Sequence, residues 1–129
     1  RDRLAQGTPV LRKQDDVYTN HIHADDLARA VVAALWRGAP QRVYNANDDT
    51  RLKAGDYYDL AADLYKLPRP RRVARAVAEQ ELSLNSLGFL NGSRQLANTR
   101  LKRELRVALR YPTVREGLRE EPSAPAAAR

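Results

Sequence analysis

The stretch "YTNHIHADDLARA", Tyr18–Ala30, decides how the chain is read. Val17 to His23 has the composition of a strand, and an alanine-rich apolar run follows the two carboxylates. Asp25 or Asp26 is expected to cap a helix running to about Arg37. A side-chain oxygen there accepts from the free N–H groups, and its charge suits the positive helix end. Gly38 and Pro40 stop that helix. Ala30 to Trp36 contains no polar residue, so the helix needs cover on more than one side and is expected to be the most buried.

Outward from this junction, segment 1–16 is polar and irregular, with a turn signal at Gly7-Thr8-Pro9. Arg42 to Asn47 reads as a second strand. A helix over about Gly55 to Lys66 follows, with Tyr57, Leu60, Ala61 and Leu64 on its apolar side and Asp56, Asp59 and Asp63 on its wet side. Val73 to Glu81 is a further helix, and Ser83 to Ser93 a weaker one that Gly88 and Gly92 loosen. Asn98 is placed to cap a helix carrying Leu101 and Leu105. Thr113 and Glu116 form a T-x-x-E capping box over a last helix. The fold class is therefore α+β and mostly helical, with residues 1–120 as one unit and 121–129 as a disordered tail.

Composition narrows the function classes. The chain has 129 residues, 43% of them hydrophobic, and no cysteine. Thiolate metal sites and disulfides are excluded. No apolar run approaches the roughly 18 residues of a membrane span, and the first residues lack the apolar core of a signal peptide. A cytoplasmic protein is expected, without membrane contact. The net charge of +7 is mostly arginine, concentrated in Lys66–Ala76 and Arg100–Arg110. Such charge attracts phosphate, but few aromatics accompany it and no nucleic-acid-binding motif appears. A basic, non-catalytic module for nucleic acid or an acidic protein is kept as the alternative.

His21 and His23 share one face of an ideal strand, which makes H-x-H a metal clamp with Asp25 or Asp26 as third ligand. The motif is short and no third histidine exists, so no metal site is assigned. An imidazole titrates near neutrality and can serve as acid or base. The structural reading of His23, a strand-end ring bonded to backbone or helix cap, is preferred. No glycine-rich phosphate loop, G-x-S-x-G or H-E-x-x-H occurs, and no Tyr is followed four residues later by Lys. No catalytic residue is assigned.

Three segments in order carry a resemblance. "NHIHADDLARAVVAAL" is similar to the I-H-V-D-D-(L/V)-A-x-A stretch of extended short-chain dehydrogenases/reductases, the NAD-dependent epimerase/dehydratase family. "QRVYNANDDTRLKAGDYYDLAADLY" resembles that family's V-Y-N-V-G strand and next helix. "SRQLANTRLKRELRVALRYPTVREGL" resembles its terminal N-S-K-L-x-x-E-L-G-W-x-P-x-Y-x-S-x-x-E-G-L. Together they span most of residues 17–118.

The resemblance implies a bacterial NAD(P)-binding oxidoreductase or isomerase with a Rossmann-type parent fold, of which this chain looks like the C-terminal, substrate-binding portion. The glycine-rich turn and Tyr-x-x-x-Lys pair lie in the family's N-terminal half. The parent would bind NAD(P) and a small-molecule substrate, and this portion alone would bind no cofactor and be inactive. Thr19, Asn20 and His21 would approach the substrate, while His23 and Asp26 would form the structural helix start. Sugar-nucleotide epimerases commonly place arginine where Thr19 stands, which argues against a sugar-nucleotide substrate. Arg106-Val107 replaces the usual Gly-Trp, read as a packing change. Without the nucleotide-binding half, the apolar helix or a strand edge is expected to pair two copies into a homodimer.

Overall fold

A computed structural model describes residues 2–119, an α+β arrangement that is mostly helical. In chain order these are α1 (Asp2–Ala5), β1 (Val10–Leu11), β2 (Tyr18–Thr19), α2 (Ala24–Arg37), β3 (Leu52–Lys53), α3 (Ala54–Tyr65), β4 (Arg72–Val73), α4 (Arg75–Glu81), α5 (Leu84–Leu90), α6 (Thr99–Arg103) and α7 (Val114–Arg119). β1 pairs in parallel with β4, Val10 opposite Arg72. β2 pairs antiparallel with β3, Tyr18 opposite Lys53. The tail expected at 121–129 lies outside the described residues.

From α2 onward the helices follow the sequence closely, but α1 and β1 lie in the segment expected to be irregular, α6 stops short of Leu105, and Asn98 turns its amide to Asn47 and Asp49 instead of capping α6. The other ends too are held differently from expectation. His23, not Asp25 or Asp26, caps α2: its Nδ1 accepts the Asp25 N–H at 3.2 Å. Thr113 and Glu116 complete one arm of the capping box, the Glu116 carboxylate accepting the Thr113 N–H at 3.0 Å. α3 ends with Lys66 in the left-handed region, and the Leu67 N–H reaches back to the Ala62 carbonyl at 2.9 Å. Arg106 is also left-handed, at φ 54°, just past α6. Val107 beside it packs into the buried cluster with Ala30, Ala33, Leu101 and Leu105, and the conformation at Arg106 is one that glycine adopts without strain.

The first expected strand shrinks to Tyr18–Thr19, and the second, Arg42–Asn47, is not a strand among the described residues. The segment is held by side chains rather than by a ladder. Asn45 Nδ2 donates to Ala97 O and Asn47 Nδ2 to Leu96 O, each at 3.0 Å, while Asn98 Nδ2 donates to Asn47 O at 2.9 Å. Extended backbone becomes a strand only beside another, and here residues 94–98 supply single contacts instead.

The core is divided and rich in alanine. Ala30 and Ala33 of α2 meet Leu101, Leu105 and Val107. Leu4 meets Ala61 and Ala62 of α3, and Leu11 meets Val73 and Ala78. α2 is not the most buried helix: Leu35 is 79% and Trp36 85% exposed, with Val31 and Val32 also exposed. The helix has cover on one side only, although its composition asks for two.

A partly buried ion cluster joins β4 to α3. Arg72 reaches Asp16 at 3.3 Å, Asp56 at 2.9 Å and Asp59 at 2.6 Å. Asp56 and Asp59, expected on a wet side, thus anchor the chain. Asp16 accepts the Gly55 N–H at 3.0 Å, and a Cβ on Gly55 would lie 1.9 Å from Arg72 Nη1.

Candidate functional site

β2 and the turn after it bring Thr19, Asn20 and His21 to one wall of a half-open cavity of about 230 Å³. α3 supplies Tyr57 and Tyr58, α5 supplies Phe89 and Leu90, and Arg3 comes from α1. The pairing of β2 with β3 fixes this wall, because β3 leads directly into α3. Phe89 stands 79% exposed between this cavity and a shallower one along Tyr18, Asn85 and Arg94.

The polar groups of the wall are partly committed. His21 stacks on Tyr57, ring centroids 4.3 Å apart, and its Nε2 lies 2.9 Å from Thr19 Oγ1. Burial lowers the His21 pKa and raises that of Tyr57, so both rings favour their uncharged forms. Asn20 is a clamp: its Nδ2 donates to Arg94 O at 3.0 Å and its Oδ1 accepts the Leu96 N–H at 2.9 Å. Arg3 donates to the Tyr58 hydroxyl at 2.9 Å and to Ser86 Oγ.

On the other side of His21 a second hollow is lined by His23, Asp48, Tyr111 and Thr113. The Asp48 N–H donates to His21 O at 2.7 Å, tying the two segments together. Burial raises the Asp48 pKa, against the Thr50 N–H and hydroxyl that favour its charged form. His23 packs on Tyr111 with ring centroids 3.9 Å apart. The two histidines therefore stack on different tyrosines. No group of three or more His, Cys, Asp or Glu placed to hold a metal occurs among the described residues.

Asp26 is wholly buried in the first turn of α2 and serves a distant segment. Its carboxylate accepts the Arg110 N–H at 2.9 Å and the Tyr111 N–H at 2.8 Å, with Arg29 Nη1 at 2.9 Å. Burial pushes its pKa up, but these three donors outweigh it and hold the carboxyl below its usual range.

The wall can hydrogen-bond a neutral group and stack against a ring. Thr19, Asn20 and His21, expected by resemblance to approach a substrate, line this cavity, and Tyr57, read only as one apolar position of a helix, lines it with them. Arg3 and Phe89 carry no local signal.

No helix among the described residues is long and apolar enough to cross a membrane. No family model matches the sequence, and no curated protein matches it. Among solved structures the chain is similar to a functionally unknown conserved protein from Silicibacter pomeroyi DSS. The two are 33% identical, with a TM-score of 0.70 over 80% of this chain and 36% of that one. The chain thus spans about a third of the length of a protein whose fold it shares and whose function is unknown.

Proposed function

We propose that the chain is the substrate-binding portion of an NAD(P)-dependent epimerase/dehydratase-like oxidoreductase, and that Thr19 and His21 face the substrate while Asn20 fixes the wall. The observation that carries this reading is the convergence of Thr19, Asn20 and His21 on one aromatic-lined cavity. Pockets of this kind, apolar with a few placed polar groups, are where small molecules bind. The bare face of α2, with Leu35 and Trp36 exposed, supports a missing nucleotide-binding half, for which contiguous apolar surface is the expected contact. In the chain alone a second copy would take that place.

The basic-module reading draws less support. Within Lys66–Ala76, Arg69 pairs with Asp63, Arg71 with Glu81, and Arg72 with three aspartates. Arg75 donates to the carbonyls of Asp15 and Leu90. These guanidiniums have carboxylate or carbonyl partners within the fold, so the run is a poor free stripe for phosphates.

NADH fluorescence tests the reading. The 129-residue chain should leave NADH and NADPH emission unchanged, while a longer chain that includes the proposed nucleotide-binding half should bind one of the two and transfer hydride. Binding of NADH or NADPH by the short chain, or of neither by the extended one, would contradict it.

A further inference from the structure

We propose that the cavity beside Thr19 and His21 receives an uncharged, ring-sized part of the substrate carrying one hydroxyl or carbonyl group, and not a phosphate. This rests on the reading of Thr19 and His21 as substrate-facing.

Size comes first. The cavity measures about 230 Å³. An apolar cavity of about 150 Å³ holds benzene, so a six-membered ring with a substituent, or a small fused ring, fits.

Charge comes second. Among the described residues no carboxylate lines the cavity, and its one cation is Arg3. Both terminal nitrogens of Arg3 already donate, to Tyr58 and Ser86. A diphosphate would bring several negative charges out of water onto that single engaged guanidinium, a cost that needs more paired cations. His21 adds none, since burial favours its neutral ring.

Polarity comes third. Asn20 spends its amide on Arg94 and Leu96. The Thr19 hydroxyl and the His21 ring form one neutral pair at 2.9 Å, which can bond one hydroxyl or carbonyl. Phe89, 79% exposed at the rim, gives an apolar ligand a surface to cover, which favours binding by roughly 25 cal/mol per Å².

The test uses the whole chain, with phenol, toluene and uridine diphosphate as probes in titrations followed by nitrogen-resolved NMR. Phenol should shift the amide signals of Thr19, His21 and Tyr57 and bind several-fold more tightly than toluene. Ser86→Trp, which fills the cavity, should weaken phenol at least tenfold. Phe89→Ala, at an exposed position, should weaken it in a chain whose circular dichroism is unchanged. His21→Phe keeps a ring against Tyr57 and should abolish the preference for phenol over toluene.

Uridine diphosphate binding the cavity more tightly than phenol would overturn the neutral class while leaving the site a substrate site. Phenol binding unaffected by both Ser86→Trp and Phe89→Ala, or absent from the folded wild-type chain, would overturn the proposal. The NADH experiment would then decide the wider reading separately.

Discussion

The carboxylate of Asp26 accepts the backbone N–H of Tyr111 at 2.8 Å, across 85 positions of sequence. One side chain in the first turn of α2 thereby fixes the segment that leads into α7. Asp26→Ala leaves the Arg110 and Tyr111 N–H groups without that acceptor and Arg29 without its carboxylate. The expected loss is about 3–5 kcal/mol, more than the roughly 0.5–2 kcal/mol of a lost cap. Asp26→Asn should fall between, since its amide oxygen can still accept one bond. The sign with pH follows from the lowered pKa. Stability from Asp26 is present above the unfolded carboxyl value of about 3.9 and is lost as pH falls through the lower folded value. Melting temperature against pH should therefore drop less steeply below about pH 4 in Asp26→Ala. Parallel wild-type and variant curves would remove the carboxylate from the account.

Gly55→Ala should destabilise, although alanine is better than glycine inside helices by about 1 kcal/mol. The added Cβ would lie 1.9 Å from Arg72 Nη1 and 2.8 Å from Asp16 Oδ2. Arg72 is held at that place by Leu11 O as well as Asp16, so its movement costs bonds. A net loss of about 1–3 kcal/mol is expected in urea unfolding, as for overpacked sites. A gain in stability would mean that Arg72 moves aside freely.

Arg106→Gly should raise the melting temperature. Arg106 sits at φ 54°, where a side chain costs roughly 1–2 kcal/mol and glycine does not. Its side chain contributes no hydrogen bond to the observed set that would offset the change. Calorimetry showing a lower melting temperature for Arg106→Gly would contradict the backbone explanation of this position.

Leu35 and Trp36, 79% and 85% exposed, should drive self-association. Sedimentation equilibrium of the chain is expected to show dimer at high concentration, and Leu35→Glu with Trp36→Glu should shift it to monomer with little change in melting temperature. A wild-type chain that stays monomeric at millimolar concentration would show that this face needs no partner.

What the sequence made legible was local. The i, i+3, i+4 pattern of α3 and the Thr113–Glu116 box stand within a few residues of each other, so periodicity and caps report them. The pairing of Val10 with Arg72, the three aspartates on Arg72 and the clamp from Asp26 to Tyr111 join distant segments, and no short window contains both partners. Arg42–Asn47 shows the converse: strand-like composition without a neighbouring strand yields no strand. At the candidate site, Thr19, Asn20 and His21 were reachable by resemblance. Arg3 and Phe89 depend on how α1 and α5 pack around α3.

The most direct measurement takes the protein extended upstream of Arg1 and compares His21→Leu with wild type for substrate KM and for NADH affinity. The account predicts a KM raised at least tenfold with NADH affinity unchanged, because the proposed role of His21 is to wall the substrate cavity and not the cofactor site. An unchanged KM, or a loss confined to NADH binding, would contradict it.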